Sequence, residues 1–154
     1  MQINISNLSE GTHDYDLSEP AEKIGLENDL HGSVTSHVTL EKSMNQLLLK
    51  VDASVKGVFI CDRCSDQFEE EIKTTFTSLY AWERDEAMEE GDDFYILRPE
   101  ENIIDISDSV REYLTLAIPL KRLCRKSKCE IPQYHAEEET VDPRWEKLKE
   151  LMKK

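Results

Sequence analysis

Four cysteines carry the clearest chemistry in this sequence. Two residues separate Cys61 from Cys64 in Cys61-Asp62-Arg63-Cys64, and four separate Cys124 from Cys129. Both intervals fall within the ligand spacing of tetrahedral zinc, because a short turn can aim two sulfurs at one ion. The metal favours the thiolate form, and four thiolates would bind with Zn–S distances of about 2.3 Å. The 59 residues between the pairs separate this pattern from a compact finger or ribbon. An ion here would staple a zinc-knuckle-like hairpin to a distant loop. The expected ligands are Cys61, Cys64, Cys124 and Cys129, with zinc in a structural role. Two other readings stay open: four reduced thiols with the later pair simply exposed, and redox use of Cys61 and Cys64. A thioredoxin-like motif wants its pair at the start of a helix in a βαβ unit, whereas the flanks here read as strands. His135 lies near the second pair and could replace one sulfur, although a lone loop histidine is more often solvated. His13, His31 and His37 have no ligand-like spacing.

The second feature is a basic island. Lys121, Arg122, Arg125, Lys126 and Lys128 fall within eight positions that hold no acid, in a chain with a formal charge of -14. Without those five, 14 basic residues face 33 acidic ones, a remainder of -19. If the cysteine pairs converge, Arg63 joins the island as one cationic patch suited to phosphate, whose affinity would depend steeply on salt. The plain alternative is a solvated loop balancing Glu137, Glu138 and Glu139. The acidic remainder repels bulk nucleic acid and suits a basic protein partner. Phe68, Phe76 and Tyr80 read as core rather than as a platform for stacking bases.

Strands must position the first cysteine pair. Val34, Val38 and Leu40 alternate with polar residues, and Lys42-Ser43-Met44-Asn45 reads as a turn. Leu47, Leu49, Val51, Ala53, Val55 and Phe59 then share one parity against Lys50, Asp52, Ser54 and Lys56. Alternation of this length predicts half-buried antiparallel strands. Gly57 within it marks a candidate bulge. A third strand carries Phe68, Ile72, Phe76, Tyr80 and Trp82, so the 61–64 motif sits at a hairpin tip. Ile3 and Ile5, Tyr15 and Leu17, and residues 94–97 suggest shorter strands. Residues 18–33 read as loop with a helical turn at 20–24.

Helices follow the sheet. Ser107 is a candidate cap, Ser109 with Glu112 a candidate capping box, and Ile106, Val110, Leu114 and Ala117 stack on one face. Pro119 should end that helix. Asp142-Pro143 opens a last helix with Trp145, Leu148 and Met152 on its apolar side. The acid-rich residues 83–93 bury little and read as a flexible loop, and 119–141 reads as a loop bearing the second cysteine pair. The expectation is one α+β domain over residues 1–154: an antiparallel sheet of about five strands with two C-terminal helices.

Several classes of function are disfavoured. No apolar run approaches the roughly 20 residues needed to span a bilayer. The opening residues have neither the basic nor the apolar region of a secretory signal, so a cytoplasmic protein with reduced thiols is expected. There is no G-x-S-x-G, glycine-rich phosphate loop, H-E-x-x-H or dinucleotide fingerprint. An enzyme is not expected, nor a small-molecule substrate.

The order of these features resembles the YceD family. The residues are Val58-Phe59-Ile60-Cys61-Asp62-Arg63-Cys64, then an acidic segment, then Ile104-Asp105-Ile106 through Val110-Arg111-Glu112. Leu116-Ala117-Ile118-Pro119, Leu123-Cys124 and Cys129 follow, and Asp142-Pro143-Arg144-Trp145-Glu146-Lys147-Leu148 is similar to the family's ending. The resemblance covers most of residues 30–150. It implies a role in ribosome biogenesis, in accumulation or processing of large-subunit ribosomal RNA. The implied partners are that RNA or its precursor, or a basic large-subunit ribosomal protein. Many members continue after the later cysteines with a G-L-C-P-x-C-G segment, whereas Cys129 here runs into Glu130-Ile131-Pro132.

Overall fold

The computed structural model describes residues 1–26, 29–82, 93–126 and 129–130. Three long strands dominate it: β3 (Leu30–Lys42), β4 (Gln46–Ile60) and β5 (Gln67–Ala81). They belong to a five-stranded sheet in the order β2-β3-β4-β5-β6, with β2 at Gly11–Pro20 and β6 at Phe94–Ile96. A second, two-stranded sheet pairs β1 (Gln2–Asn4) with β7 (Ile103–Asp105). The helices are α1 (Ala21–Ile24) and α2 (Ser107–Leu116). Among the described residues, no helix is long and apolar enough to cross a membrane.

The alternation set the buried face. Val34, Val38, Leu40, Leu47, Leu49, Val51, Ala53, Val55, Phe59, Ile72, Phe76 and Tyr80 are all buried. Their polar neighbours in sequence lie on the open face, as a two-residue period requires. The covering layer brings Ile3, Ile5, Ile24, Leu26, Ile104, Ile106, Val110 and Leu114 onto them. At ten residues α2 is shorter than the roughly 12–15 that an isolated helix needs. Burial of Val110 and Leu114, and the stack of Tyr113 on Phe76 at 4.4 Å, hold it in place.

Four expectations change. The main sheet is mixed rather than antiparallel, because β6 runs parallel to β5. The twelve positions 82–93 between them are about the length a parallel crossover needs. Gly57 is not a bulge: β4 pairs with β5 without a break from Gln46 to Ile60. The register shift falls in the partner strand, between His31 and Thr35. Gly57 is required instead by packing, since a Cβ there would sit 2.6 Å from two ring atoms of Phe59. The short strand expected at Tyr15 and Leu17 runs from Gly11 to Pro20 as a full ten-residue partner for β3, and β3 itself begins at Leu30, so both ends of the segment 18–33 expected as loop are strand.

The fourth change concerns the start of α2. Ser107 lies inside the helix, and neither it nor Ser109 caps the end. Asp105, fixed at the end of β7 by pairing with Gln2, accepts the Ser107 amide at Oδ1, 2.9 Å away. A carboxylate two residues ahead of the amide makes a local Asx turn, so no serine cap is needed. The helix ends at Leu116, before Pro119. Asp93, at the end of the expected acidic loop, is tied down: its carbonyl accepts the Leu79 amide and its carboxylate the Tyr113 hydroxyl, 2.5 Å away. Residues 83–92, the last helix from Asp142, and most of 127–141 lie outside the described residues.

Candidate metal centre

The hairpin between β4 and β5 is closed by its own backbone. The Cys61 amide donates to the Asp66 carbonyl at 2.9 Å, and the Ser65 amide to the Cys61 carbonyl at 2.9 Å. Ser65 has φ of 60°, the left-handed turn position that reverses the chain. The later segment docks on this tip through reciprocal bonds. Asp62 donates its amide to the Arg122 carbonyl at 2.8 Å, and the Arg122 amide donates to Asp62 Oδ2 at 2.6 Å. Two residues on, the Cys124 amide points at Cys61 Sγ, 3.3 Å away.

This docking gathers all four sulfurs. Cys61 Sγ lies 3.6 Å from Cys129 Sγ, and Cys64 Sγ 3.5 Å from Cys124 Sγ. All four sulfurs lie within 4.8 Å of one another, and all four cysteines are free thiols. A tetrahedron with arms of about 2.3 Å has edges of about 3.8 Å. The donor set and the spacing therefore fit a metal site with four thiolate ligands. Cys61 and Cys124 are buried, while Cys64 and Cys129 are half-buried.

The thiols have divergent proton affinities. The Cys124 amide, helped by those of Cys64 and Arg63, pulls Cys61 down to about 6 against the opposing effect of burial. For Cys64 the Asp66 amide favours the thiolate, but burial and the thiols of Cys124 and Cys61 outweigh it and the pKa rises. Burial, then the Cys124 and Cys61 thiols, push Cys129 up to about 12. One sulfur is poised to ionise while the crowding resists further negative charge. A divalent cation at their centre would relieve that repulsion.

The basic residues come to the same end of the molecule, and several are already paired. Arg122 donates to Asp29 Oδ2 at 2.7 Å and lies over the Phe59 ring at 5.0 Å. Arg125 pairs with Glu70 at 3.2 Å, and Lys126 with Asp66 at 2.9 Å. The Asp66 carboxylate raises the Lys126 pKa, and Lys126 in turn lowers that of Asp66. Arg63 and Lys121 are exposed, with no ion pair among the described residues. Lys128 and His135 lie outside those residues. Sequence reasoning missed the acids that fix the island. Asp62 could have been suspected from its place between the cysteines, but nothing near Asp29 or Glu70 marks a site.

The family model described as large ribosomal RNA subunit accumulation protein YceD matches residues 49–152, about two-thirds of the chain. The chain belongs to the YceD family. No curated protein and no solved structure matches it. The YceD match contains β4 from Leu49 onward, β5, α2 and all four cysteines, so the four sulfurs lie wholly within it. The β2–β3 hairpin lies before the matched residues.

Proposed function

We propose that this YceD-family protein is a non-catalytic, cytoplasmic ribosome-biogenesis factor that supports accumulation or processing of large-subunit ribosomal RNA. A structural zinc ion held by Cys61, Cys64, Cys124 and Cys129 fixes residues 121–126 against the hairpin tip. The single observation that carries this reading is the meeting of the four sulfurs beside Arg63, Lys121, Arg125 and Lys126. Those four cations are exposed and can face phosphate. Arg122 is better suited to holding the segment down, given its contacts with Asp29 and Phe59. Surface ion pairs such as Arg125–Glu70 are worth little, so phosphate can compete for their cations.

The test is binding to large-subunit ribosomal RNA at two salt concentrations. Four phosphate contacts on single-stranded RNA give a logarithmic salt slope of about -3. Arg125→Glu with Lys126→Glu should reduce the slope to about half. A shallow slope that these changes leave untouched would remove RNA contact from the proposal.

A second reading is favoured by the neutralisation of the island. Asp29, Asp66 and Glu70 answer three of its cations, and the whole chain stays at -14. On this reading the protein is an acidic, chaperone-like adaptor for a basic ribosomal protein and makes no direct RNA contact. Binding to basic ribosomal proteins that the double charge reversal does not weaken would support it.

A further inference from the structure

The open face of the main sheet turns apolar at the end where β6 joins it. Leu48 sits between buried Leu47 and Leu49, so its side chain is on the open side, 38% exposed. Across the ladder it pairs with Leu79, whose neighbours Ser78 and Tyr80 are buried. Leu79 in turn pairs with Phe94, and Ile96, 55% exposed, follows on the same face of β6. Tyr95 between them is turned the other way and stacks on Tyr80. Four large apolar side chains from three adjacent strands thus form one patch. The next row on that face is Thr39, Lys50 and Thr77. Scattered exposed leucines need no explanation, whereas a contiguous patch with a polar rim marks an interaction surface.

A strong negative charge is tethered beside the patch. Residues 83–92 hold six acids against Arg84 alone, a net of -5. Both ends of that segment are fixed here: Trp82 follows Leu79 by three residues, and the Asp93 carbonyl accepts the Leu79 amide at 2.9 Å. At about 3.5 Å per residue, none of its residues can stand more than roughly 20 Å from one of these anchors. The nearby described charges do not cancel it, since Lys42, Lys50 and Arg98 are matched by Glu41, Asp93 and Glu101. The net field decides between occupants. Nucleic acid, an anionic membrane and a second copy with the same -5 are all repelled. A cationic protein segment is attracted, and its apolar side chains meet the patch.

We propose that Leu48, Leu79, Phe94 and Ile96 take up a basic amphipathic segment of a protein partner. Its apolar side chains cover the patch, and its lysines or arginines lie in the field of residues 83–92. Leu48 stands thirteen positions before Cys61 along β4, so this surface is distinct from the sulfur cluster and the basic island. The inference deepens the adaptor reading: it rests on that reading for the charge of the partner and names the surface that recognises it.

The test uses the full chain and a labelled peptide of about fourteen residues, with leucines at helical spacing on one side and lysines elsewhere. A control peptide keeps the lysines and replaces the leucines with serine. The leucine peptide should bind, and the serine peptide at least about tenfold more weakly. Leu48→Asn with Ile96→Asn should weaken the leucine peptide at least about tenfold. The urea midpoint should stay unchanged, because both side chains are exposed in the fold. Glu86→Gln, Glu89→Gln and Glu90→Gln together take the segment from -5 to -2 and should flatten the salt dependence. On titration of the unaltered chain, the magnetic resonance signals of Leu48, Leu79, Phe94 and Ile96 should move. That titration decides the matter if the asparagine variant does not fold.

Equal affinity for both peptides, or an affinity that Leu48→Asn with Ile96→Asn leaves unchanged, would overturn the patch. The adaptor reading would then stand on charge alone. No binding of either peptide would overturn the proposal too, while binding of basic ribosomal proteins elsewhere on the surface would still support an adaptor. Nuclear Overhauser contacts from the patch to residues 83–92 in the free chain would give it to the chain's own segment. Contacts that grow with concentration would give it to a second copy, and patch signals moved by polyuridine would give it to nucleic acid. Each of these last three results also overturns the proposal.

Discussion

The Arg122 guanidinium lies 5.0 Å from the centre of the Phe59 ring, so the cationic segment is tied to the core as well as to the surface. Phe59 is buried two residues before Cys61. Arg122 also reaches Asp29 through its side chain and Asp62 through its backbone. One arginine thus links the loop ahead of β3, the end of β4 and the segment that delivers Cys124.

Arg122→Ala should loosen that segment more than it destabilises the whole fold. The side chain is about one-third exposed, 34%, so screening limits the loss to about 1 kcal/mol. Arg122→Lys keeps the charge but loses the planar stacking group, and should fall between the two. The expected result is faster exchange of the Cys124 amide and faster metal release, with a nearly unchanged urea midpoint. An unchanged release rate in Arg122→Ala would assign the docking to the Asp62 bonds alone.

The sulfur cluster makes a sharper prediction. The chain should bind one zinc ion, and cobalt in its place should give the ligand-field spectrum of a tetrahedral thiolate site. Cys124→Ser should abolish tight binding. Chelation should expose residues 121–126 to exchange while β3, β4 and β5 stay protected, because their core is apolar and independent of the ion. Binding should release protons and weaken in acid, since only thiolates ligate. Global unfolding on chelation would mean that the metal holds the sheet itself.

The parts of this architecture that the sequence revealed are those governed by alternation and spacing. Val51, Val55 and Phe59 announced their face by parity, and Cys61 with Cys64 announced a turn. Long-range placement followed only as a hypothesis, because 59 intervening residues say nothing about distance. The parallel β6 was hidden because Phe94, Tyr95 and Ile96 are too few to carry direction. Residues 11–20 were underestimated because an edge strand half-covered on one face shows weak contrast: Tyr15 and Leu17 are only partly buried. The acids that neutralise the island were invisible for a related reason. Asp29, Asp66 and Glu70 sit in ordinary acidic surroundings, and only the fold pairs them with cations.

Gly57 offers a test of the packing beneath the site. A methyl group there would meet the Phe59 ring at 2.6 Å and Leu30 Cδ2 at 3.1 Å. Phe59 is 1% exposed and has little room to yield. Gly57→Ala should therefore cost about 1–3 kcal/mol by overpacking, read as a lower urea midpoint. Displacing Phe59 also removes the surface on which Arg122 rests, so metal release should quicken. A neutral Gly57→Ala would show that the ring can rotate away without cost.

His37 supplies a pH-dependent prediction on the open face of the sheet. Its Nδ1 lies 2.8 Å from Asp16 Oδ1. That hydrogen bond is the largest cause of a raised pKa, and the charges of Asp16, Asp14 and Asp52 add to it. Asp14 and Asp16 come from β2 and Asp52 from β4, so the imidazolium bridges three strands. The folded pKa lies above the unfolded value of about 6.5. The pair's contribution is therefore complete below that value and disappears as pH rises through the folded pKa. Nuclear magnetic resonance titration of the His37 ring should give a midpoint above about 6.5, and Asp16→Asn should bring it down. Both partners are well exposed, so the effect on total stability should be small. A midpoint that Asp16→Asn leaves unmoved would assign the shift to Asp14 and Asp52.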